Sequence, residues 1–403
     1  MFGVSNNYFL NISFGTSVIS LDPSQVREFT IILDLNKFLP EMRMRIADSA
    51  GAYTHLVPFD KAMNTVQVVA GIDVDSAITQ TYTFDVYRRT PKSEAVLRGE
   101  YDIVGLLSVP NLFSPLYRVG YNQSVDTTIQ AIGSLLNISN YNISSSLSIT
   151  KNLIQANWSN AQFMQQIADN LADDDDVDSN YRCWVTVENS TQTTLNFQSY
   201  SDLLNSGIQW IFAFGDQTYP PDSNNPIYPI YNYQIVDNYK YLQMLGTQQQ
   251  SYIYFDYMTS TWVTNVLPLS DIESLTPYFS VDSNDAVQDM QYTYTGRSNS
   301  LTSDFYGKVH SIYETRINNL TKLWITTWGN LDIRPGHLVQ VEVPSDPGNA
   351  FNYNYSGYWL VERIVLSWDD TFRMKLLLTR SGITTNTPTT LVAATNIVQG
   401  SQQ

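Results

Sequence analysis

Cysteine is almost missing from this chain: Cys183 stands alone among 403 residues. One thiol can close no intramolecular disulfide and no cysteine zinc cluster. Its place in the strand-like run Tyr181-Arg-Cys-Trp-Val-Thr-Val187 reads as a buried, inert side chain rather than a nucleophile. Histidine is nearly as scarce, and His55, His310 and His337 lie far apart, in neither a His-x-x-x-His nor a His-Glu-x-x-His spacing. Charge is sparse too: Asp, Glu, Lys and Arg make up 15% of the chain, with a balance of −16. That acidity argues against a nucleic-acid binder, which needs basic patches, and against anionic membrane surfaces. No apolar run approaches the ~18 residues of a membrane helix. No basic segment followed by a long apolar run opens the chain, so no signal peptide is expected. Gly-x-Ser-x-Gly, Gly-x-Gly-x-x-Gly and the phosphate-binding Gly-Lys-Ser/Thr loop are absent. No catalytic, cofactor-binding or metal-ligating residue is nominated, and the chain is read as a non-enzyme without cofactor. A glycosidase needs only two acids placed in space, so a glycan-cleaving role stays open.

What is present is apolar content of 43%, enough to fold, and a polar surface made of Asn, Gln, Ser, Thr and Tyr. The length suits two to four domains. Residues 1–110 read as short strands: Tyr8–Phe14, Phe29–Leu35, Met42–Ala47, Thr65–Ala70, Thr81–Tyr87 and Tyr101–Leu107. Asp22-Pro23, Ser49-Ala50-Gly51 and Thr90-Pro91 serve as turns between them.

Residues 111–210 change character. Val125, Ile129, Ile132 and Leu136 recur at helical spacing behind Ser124 as N-cap. Ser159-Asn-Ala-Gln162 is a capping box, followed by Phe163, Ile167 and Leu171 on one helix face. Cys183–Val187 and Thr194–Gln198 read as the closing strands of an α/β unit. The acids Asp173–Asp176, with Asp178, lack the glycine and distal glutamate of a calcium loop and read as a solvated loop. The eight Asn-x-Ser/Thr sequons are chance in a chain so rich in these residues.

The Pro/Asn/Tyr-rich stretch Gly215–Tyr233 cannot be a regular helix and reads as a connector. Tyr252–Tyr257 and Thr261–Leu267 are two strands around a Met258-Thr-Ser turn. Ser303 or Asp304 caps an expected helix bearing Phe305, Val309, Ile312 and Arg316. The Thr/Asn/Gln-rich tail from Ile383 is expected to be disordered or to dock on a partner.

Leu323–Arg380 is the densest strand region. Leu323-Trp-Ile-Thr-Thr-Trp328 leads through Leu331-Asp-Ile-Arg-Pro-Gly336 into His337-Leu-Val-Gln-Val-Glu-Val343. In that last run Val339, Val341 and Val343 alternate with Gln340 and Glu342, the pattern of a half-buried strand. Pro335-Gly336 supplies a sharp reversal before it. Tyr358–Trp368 and Phe372–Thr379 follow, joined by Asp369-Asp370.

This order of strands and turns, together with the Ser159–Leu171 helix ahead of it, resembles the baseplate hub of contractile phage tails. That family comprises the late control protein D hubs and the tube-like half of VgrG spikes. The resemblance implies a mainly β chain with an α+β middle domain and two antiparallel β-barrels of tail-tube and hub type. On it, 1–110 would be the first barrel, 111–210 the middle domain, and 211–267 a connector with the first strands of the second barrel. An inserted segment would span 268–320, the rest of the second barrel 321–382, and a tail 383–403. It further implies a structural homotrimer that joins the six-fold tail tube to a three-fold central spike, with wedge proteins of the baseplate around it. DNA would pass through its channel without specific binding, past an acidic or neutral polar wall. Such a protein would reside in the virion tail and be assembled in the host cytoplasm. The alternative is a glycan-binding or glycan-cleaving virion protein.

Overall fold

The computed structural model describes residues 8–15, 19–21, 23–48, 64–72, 79–95, 98–171, 180–188, 192–208, 210–214, 227–237, 249–256, 259–267, 289–294, 320–343, 355–368 and 371–380. The Asp173–Asp178 acids, Asp369-Asp370, His55, His310, the Phe305–Arg316 helix and the tail lie outside these residues. In chain order the first strands are β1 (Tyr8–Phe14), β2 (Ile19–Ser20), β3 (Val26–Asp34), β4 (Glu41–Asp48), β5 (Thr65–Ile72), β6 (Thr79–Ala95) and β7 (Arg98–Leu107). Next come β8 (Tyr117–Ser124), α1 (Val125–Leu135), β9 (Asn140–Ile143), β10 (Thr150–Trp158), α2 (Asn160–Asn170), β11 (Tyr181–Glu188), β12 (Gln192–Ser199) and α3 (Tyr200–Asn205). The rest are β13 (Trp210–Ala213), β14 (Ile227–Pro229), β15 (Asn232–Asp237), β16 (Gln249–Asp256), β17 (Thr261–Leu267), β18 (Asp289–Tyr294), β19 (Thr321–Trp328), β20 (Leu338–Glu342), β21 (Gly357–Trp368) and β22 (Phe372–Arg380).

The protein is mainly β, with its helices between the two strand-rich regions. Where two barrels were expected, the described residues form one continuous fourteen-stranded sheet, and no pairing among them closes it. Its main path runs β14-β13-β20-β21-β3-β4-β7-β6-β5-β1-β2, and β22, β19 and β15 follow one another from the other edge of β21. The junction is β21. Its first residues pair with β20, its later ones with β3, and β22 runs along its opposite edge. Twelve residues are long enough to hold both neighbours in succession.

One face of this sheet is apolar. Phe29, Ile31 and Leu33 of β3, Met42, Met44 and Ile46 of β4, and Ile364 and Leu366 of β21 are buried at every second position. These side chains belong to a single buried cluster that also takes in Ile129 of α1, Phe163 of α2 and Val185 of β11. The strand-rich regions and the helical elements between them therefore share one core. A second, smaller cluster unites Leu35, Trp184, Tyr200, Leu203 and Leu360 from three distant parts of the chain.

The helices form for the reasons their sequences give. In α2 the Ser159 hydroxyl accepts from the Gln162 backbone N–H at 3.2 Å, while Gln162 Oε1 accepts from the Ser159 N–H at 3.0 Å. Phe163, Ile167 and Leu171 are buried as their spacing requires. Ser124 holds the N-cap position of α1, but its hydroxyl meets the Thr127 hydroxyl instead of a backbone N–H. Behind the helices, β11 pairs antiparallel with β12, and β12 pairs in parallel with β9. The ribbon of β8 and β10 lies over them, with Tyr121 stacked on Phe163.

Three expectations are corrected. Thr90-Pro91 is no turn: β6 runs through it, with a register shift between Pro91 and Ser93 where the missing proline N–H is tolerated. The strand at Val339–Val343 is not half-buried. Gln340 and Glu342 are buried like the valines, with Gln340 Nε2 donating to the Glu342 carboxylate at 2.9 Å, so both faces of β20 are covered. The strands at 252–267 do not begin the C-terminal sheet region. They pair with each other and with β18, while β13, β14 and β15 join β19 and β20 instead.

Candidate functional site

Among the described residues, Cys183 and His337, types that would signal chemistry, are spent structurally. Cys183 is buried, and burial pushes its thiol well above the ordinary range. His337 Nδ1 accepts from the Arg334 backbone N–H at 3.2 Å. Burial, helped by the Arg334 charge, lowers its pKa to about 4, so the imidazole is neutral at pH 7. Among the described residues no group of three or more His, Cys, Asp or Glu could hold a metal ion.

The arrangement that sets this structure apart is the seam where N- and C-terminal strands meet. Arg363 stands opposite Asp34 across β21 and β3, and its Nε donates to the Asp34 carboxylate at 2.7 Å. Asp34 also caps the turn that follows by accepting from the Asn36 N–H at 2.9 Å. One residue earlier in β21 the register slips between Val361 and Arg363. The extra residue of this bulge is Glu362. Its carboxylate accepts from Asn36 Nδ2 at 3.0 Å and from Lys322 Nζ of β19 at 3.2 Å. Its carbonyl accepts from the Leu35 N–H at 2.8 Å. Two acids buried at a strand junction are thus each held by a cation and an Asn36 group, which makes their burial tolerable and fixes the register.

Pairing continues over the same polar face. Glu41 is met by Arg43 at 2.6 Å and Lys37 at 3.1 Å, and Arg45 bridges Asp102 and Glu28. Burial opposes the charge on Glu41, but the hydrogen bonds and charges of Arg43 and Lys37 outweigh it, so its pKa lies below the ordinary value. Toward β22 the pairing stops: Lys375 lies over the Trp324 ring at 4.7 Å and Arg373 donates to the Thr371 hydroxyl. Sequence reading placed Glu362 and Arg363 in a strand but missed their role. The available signal was an adjacent acid and base in the middle of an otherwise apolar run.

A second feature is a cleft of about 670 Å³ beside α2, lined by Phe38, Phe113, Leu116, Trp158 and the exposed helix face from Ala161 to Asp169.

The fold defines a class: a mainly β chain whose two strand-rich regions share one sheet around a small α/β unit. Its architecture is that of known phage tail proteins. It is similar to the prophage MuSo2 43 kDa tail protein from Shewanella oneidensis, with a TM-score of 0.59 at 10% identity, over 93% of this chain and 98% of that one. It is likewise similar to the tail protein from Neisseria meningitidis MC58, with a TM-score of 0.55 at 11% identity, over 94% and 98%. No family model matches the sequence, and no curated protein matches it.

Proposed function

We propose that this chain is a structural protein of a phage tail and, more closely, the baseplate hub of a contractile tail, of the late control protein D and VgrG type. It acts as a homotrimer between the six-fold tail tube and a three-fold central spike, with the wedge proteins of the baseplate around it. The observation that carries this reading is the β3–β21 seam. By joining two strand sets into one sheet, it lets a single chain present two side-by-side wall segments with a common polar face. Three such chains offer six segments to a six-fold tube and three-fold symmetry to a spike. The fold shared with two tail proteins over nearly their whole length supports the same role.

The polar face suits a channel wall. Lys37, Arg43, Arg45, Lys322 and Arg363 are all neutralised by carboxylates of this chain. Phosphates passing them find little free positive charge, so DNA moves on without specific binding. Along β3, β4 and β21 this face is therefore neutral by pairing rather than acidic, whereas Lys375 and Arg373 of β22 meet a ring and a hydroxyl instead of carboxylates.

Light scattering of the purified protein, with negative-stain imaging alone and beside its tube and spike proteins, tests this. The expected result is a trimer mass and rings of three-fold symmetry. A monomer at every concentration that forms no ring with those proteins overturns it.

A further inference from the structure

We propose that the cleft beside α2 docks a polypeptide segment of another protein that presents a large apolar side chain next to a lysine or arginine. One wall is the loop between β7 and β8. There Phe113 and Leu116 expose 60% and 54% of their surface. They are held outward rather than left loose. Leu112 between them and the core is buried, its carbonyl accepts from the Ala161 N–H at 3.0 Å, and the Asn111 carbonyl accepts from Asn160 Nδ2 at 3.0 Å. The opposite wall is Phe38, whose carbonyl accepts from the Val185 N–H at 2.9 Å. Trp158 and α2 complete the lining. Apolar groups fixed in advance in a solvent-open cleft of this size are what an anchoring side chain needs, since little ordering is left to the binding step.

The lining also selects between ligand classes. The amides that would read sugar hydroxyls are partly committed: Gln162 Oε1 to the Ser159 N–H, and Gln165 Nε2 to Asp169 at 2.7 Å. Asp169 is the one charged group in the lining, on a chain of net charge −16. Charge complementarity therefore calls for a cation beside the anchor and disfavours an acidic segment. Gln166, exposed in the lining, offers its side-chain amide to a peptide backbone. This inference concerns a separate surface from the sheet face and does not rest on the channel reading.

The full-length protein is tested against two synthetic peptide pools. One carries Phe or Leu beside Lys or Arg, the other the same apolar residues beside Asp or Glu. The basic pool should bind, and the acidic pool at least about tenfold more weakly. Replacing Phe113 and Leu116 together by serine should lower binding at least about tenfold, since exposed anchors carry most of such affinity. Gln166→Arg, an exposed change that leaves the rings and the capping box in place, should weaken the basic pool with no change in melting temperature. The proposal is overturned if neither pool binds, if both bind equally, or if binding survives loss of both side chains. It also falls if a maltotriose or chitotriose probe binds in a Phe113-dependent way while the peptides do not. A lower oligomeric mass of the double variant without any peptide binding would overturn it as well, by assigning the cleft to a second copy of the chain.

Discussion

In the N-terminal half of the large sheet, neighbours in space are near neighbours in sequence: β4 lies beside β3 and β7, and β6 between β5 and β7. In the C-terminal half, β20 has β13 on one side in parallel, and β19 has β15, both strands from well before the segment at 249–294. The first arrangement is a set of antiparallel pairings with an apolar face and a face of paired charges. The second recruits distant strands and encloses both faces of its central strand. Alternation in a sequence thus reports the period of a strand but not how many of its faces are covered. Gln340 and Glu342 show the consequence. Glu342 is only 1% exposed, and burial, partly offset by the Gln340 hydrogen bond, raises its pKa.

The contrast is broken most directly in the C-terminal half. Trp359→Ala removes a fully buried ring that donates to the Tyr355 carbonyl and lies under the Arg380 guanidinium. It should cost about 3–5 kcal/mol by chemical denaturation. Because the core is shared, the N-terminal strands should unfold in the same transition. A separate, unshifted N-terminal transition would show the halves to be independent.

Acid sharpens the comparison at the entry to β20. His337 is held at a pKa of about 4 against an ordinary 6.5. The unfolded chain therefore takes up this proton first. The stability due to the neutral imidazole is whole above pH 6.5 and is lost as pH falls toward 4, a change of up to about 3 kcal/mol. His337→Asn should flatten the stability curve across that window. An unchanged slope would place the imidazole in water.

Gly336 joins the C-terminal half to the helical elements. Its φ is +90°, and an added Cβ would come within 3.1 Å of Leu203 and Trp184. Gly336→Val should cost about 1–3 kcal/mol through backbone strain and crowding. A melting temperature equal to that of the parent would refute this account of the turn.

The seam is weaker one pair at a time. Asp34→Asn keeps the shape but removes the charge facing Arg363, whose side chain is 36% exposed and can turn to water. About 1–2 kcal/mol is expected, below the cost of breaking a fully buried pair. A double-mutant cycle with Arg363→Met should return a coupling energy, and additivity would mean that the contact contributes nothing. The smallest effect belongs to Ile154→Thr. Ile154 is 68% exposed on the outer face of the ribbon, opposite Gly120, and its change should stay within about 0.5 kcal/mol.

Local chemistry was written in the sequence. The Ser159–Gln162 capping box, the Phe163–Leu171 helix face, the β3, β4, β11 and β12 strands and the left-handed Gly336 all depend on a few residues and their neighbours, so their patterns suffice to place them. Tertiary structure decided the rest. Whether Pro91 turns the chain or rides in a bulge depends on a partner strand. Whether Glu342 meets water depends on whether both faces of β20 are covered, and whether Asp34 finds a cation depends on Arg363, more than three hundred residues away. Pairings of that range have no local signature, because the free energy that selects them comes from one shared core and one set of partly exposed ion pairs that exist only once the sheet has formed.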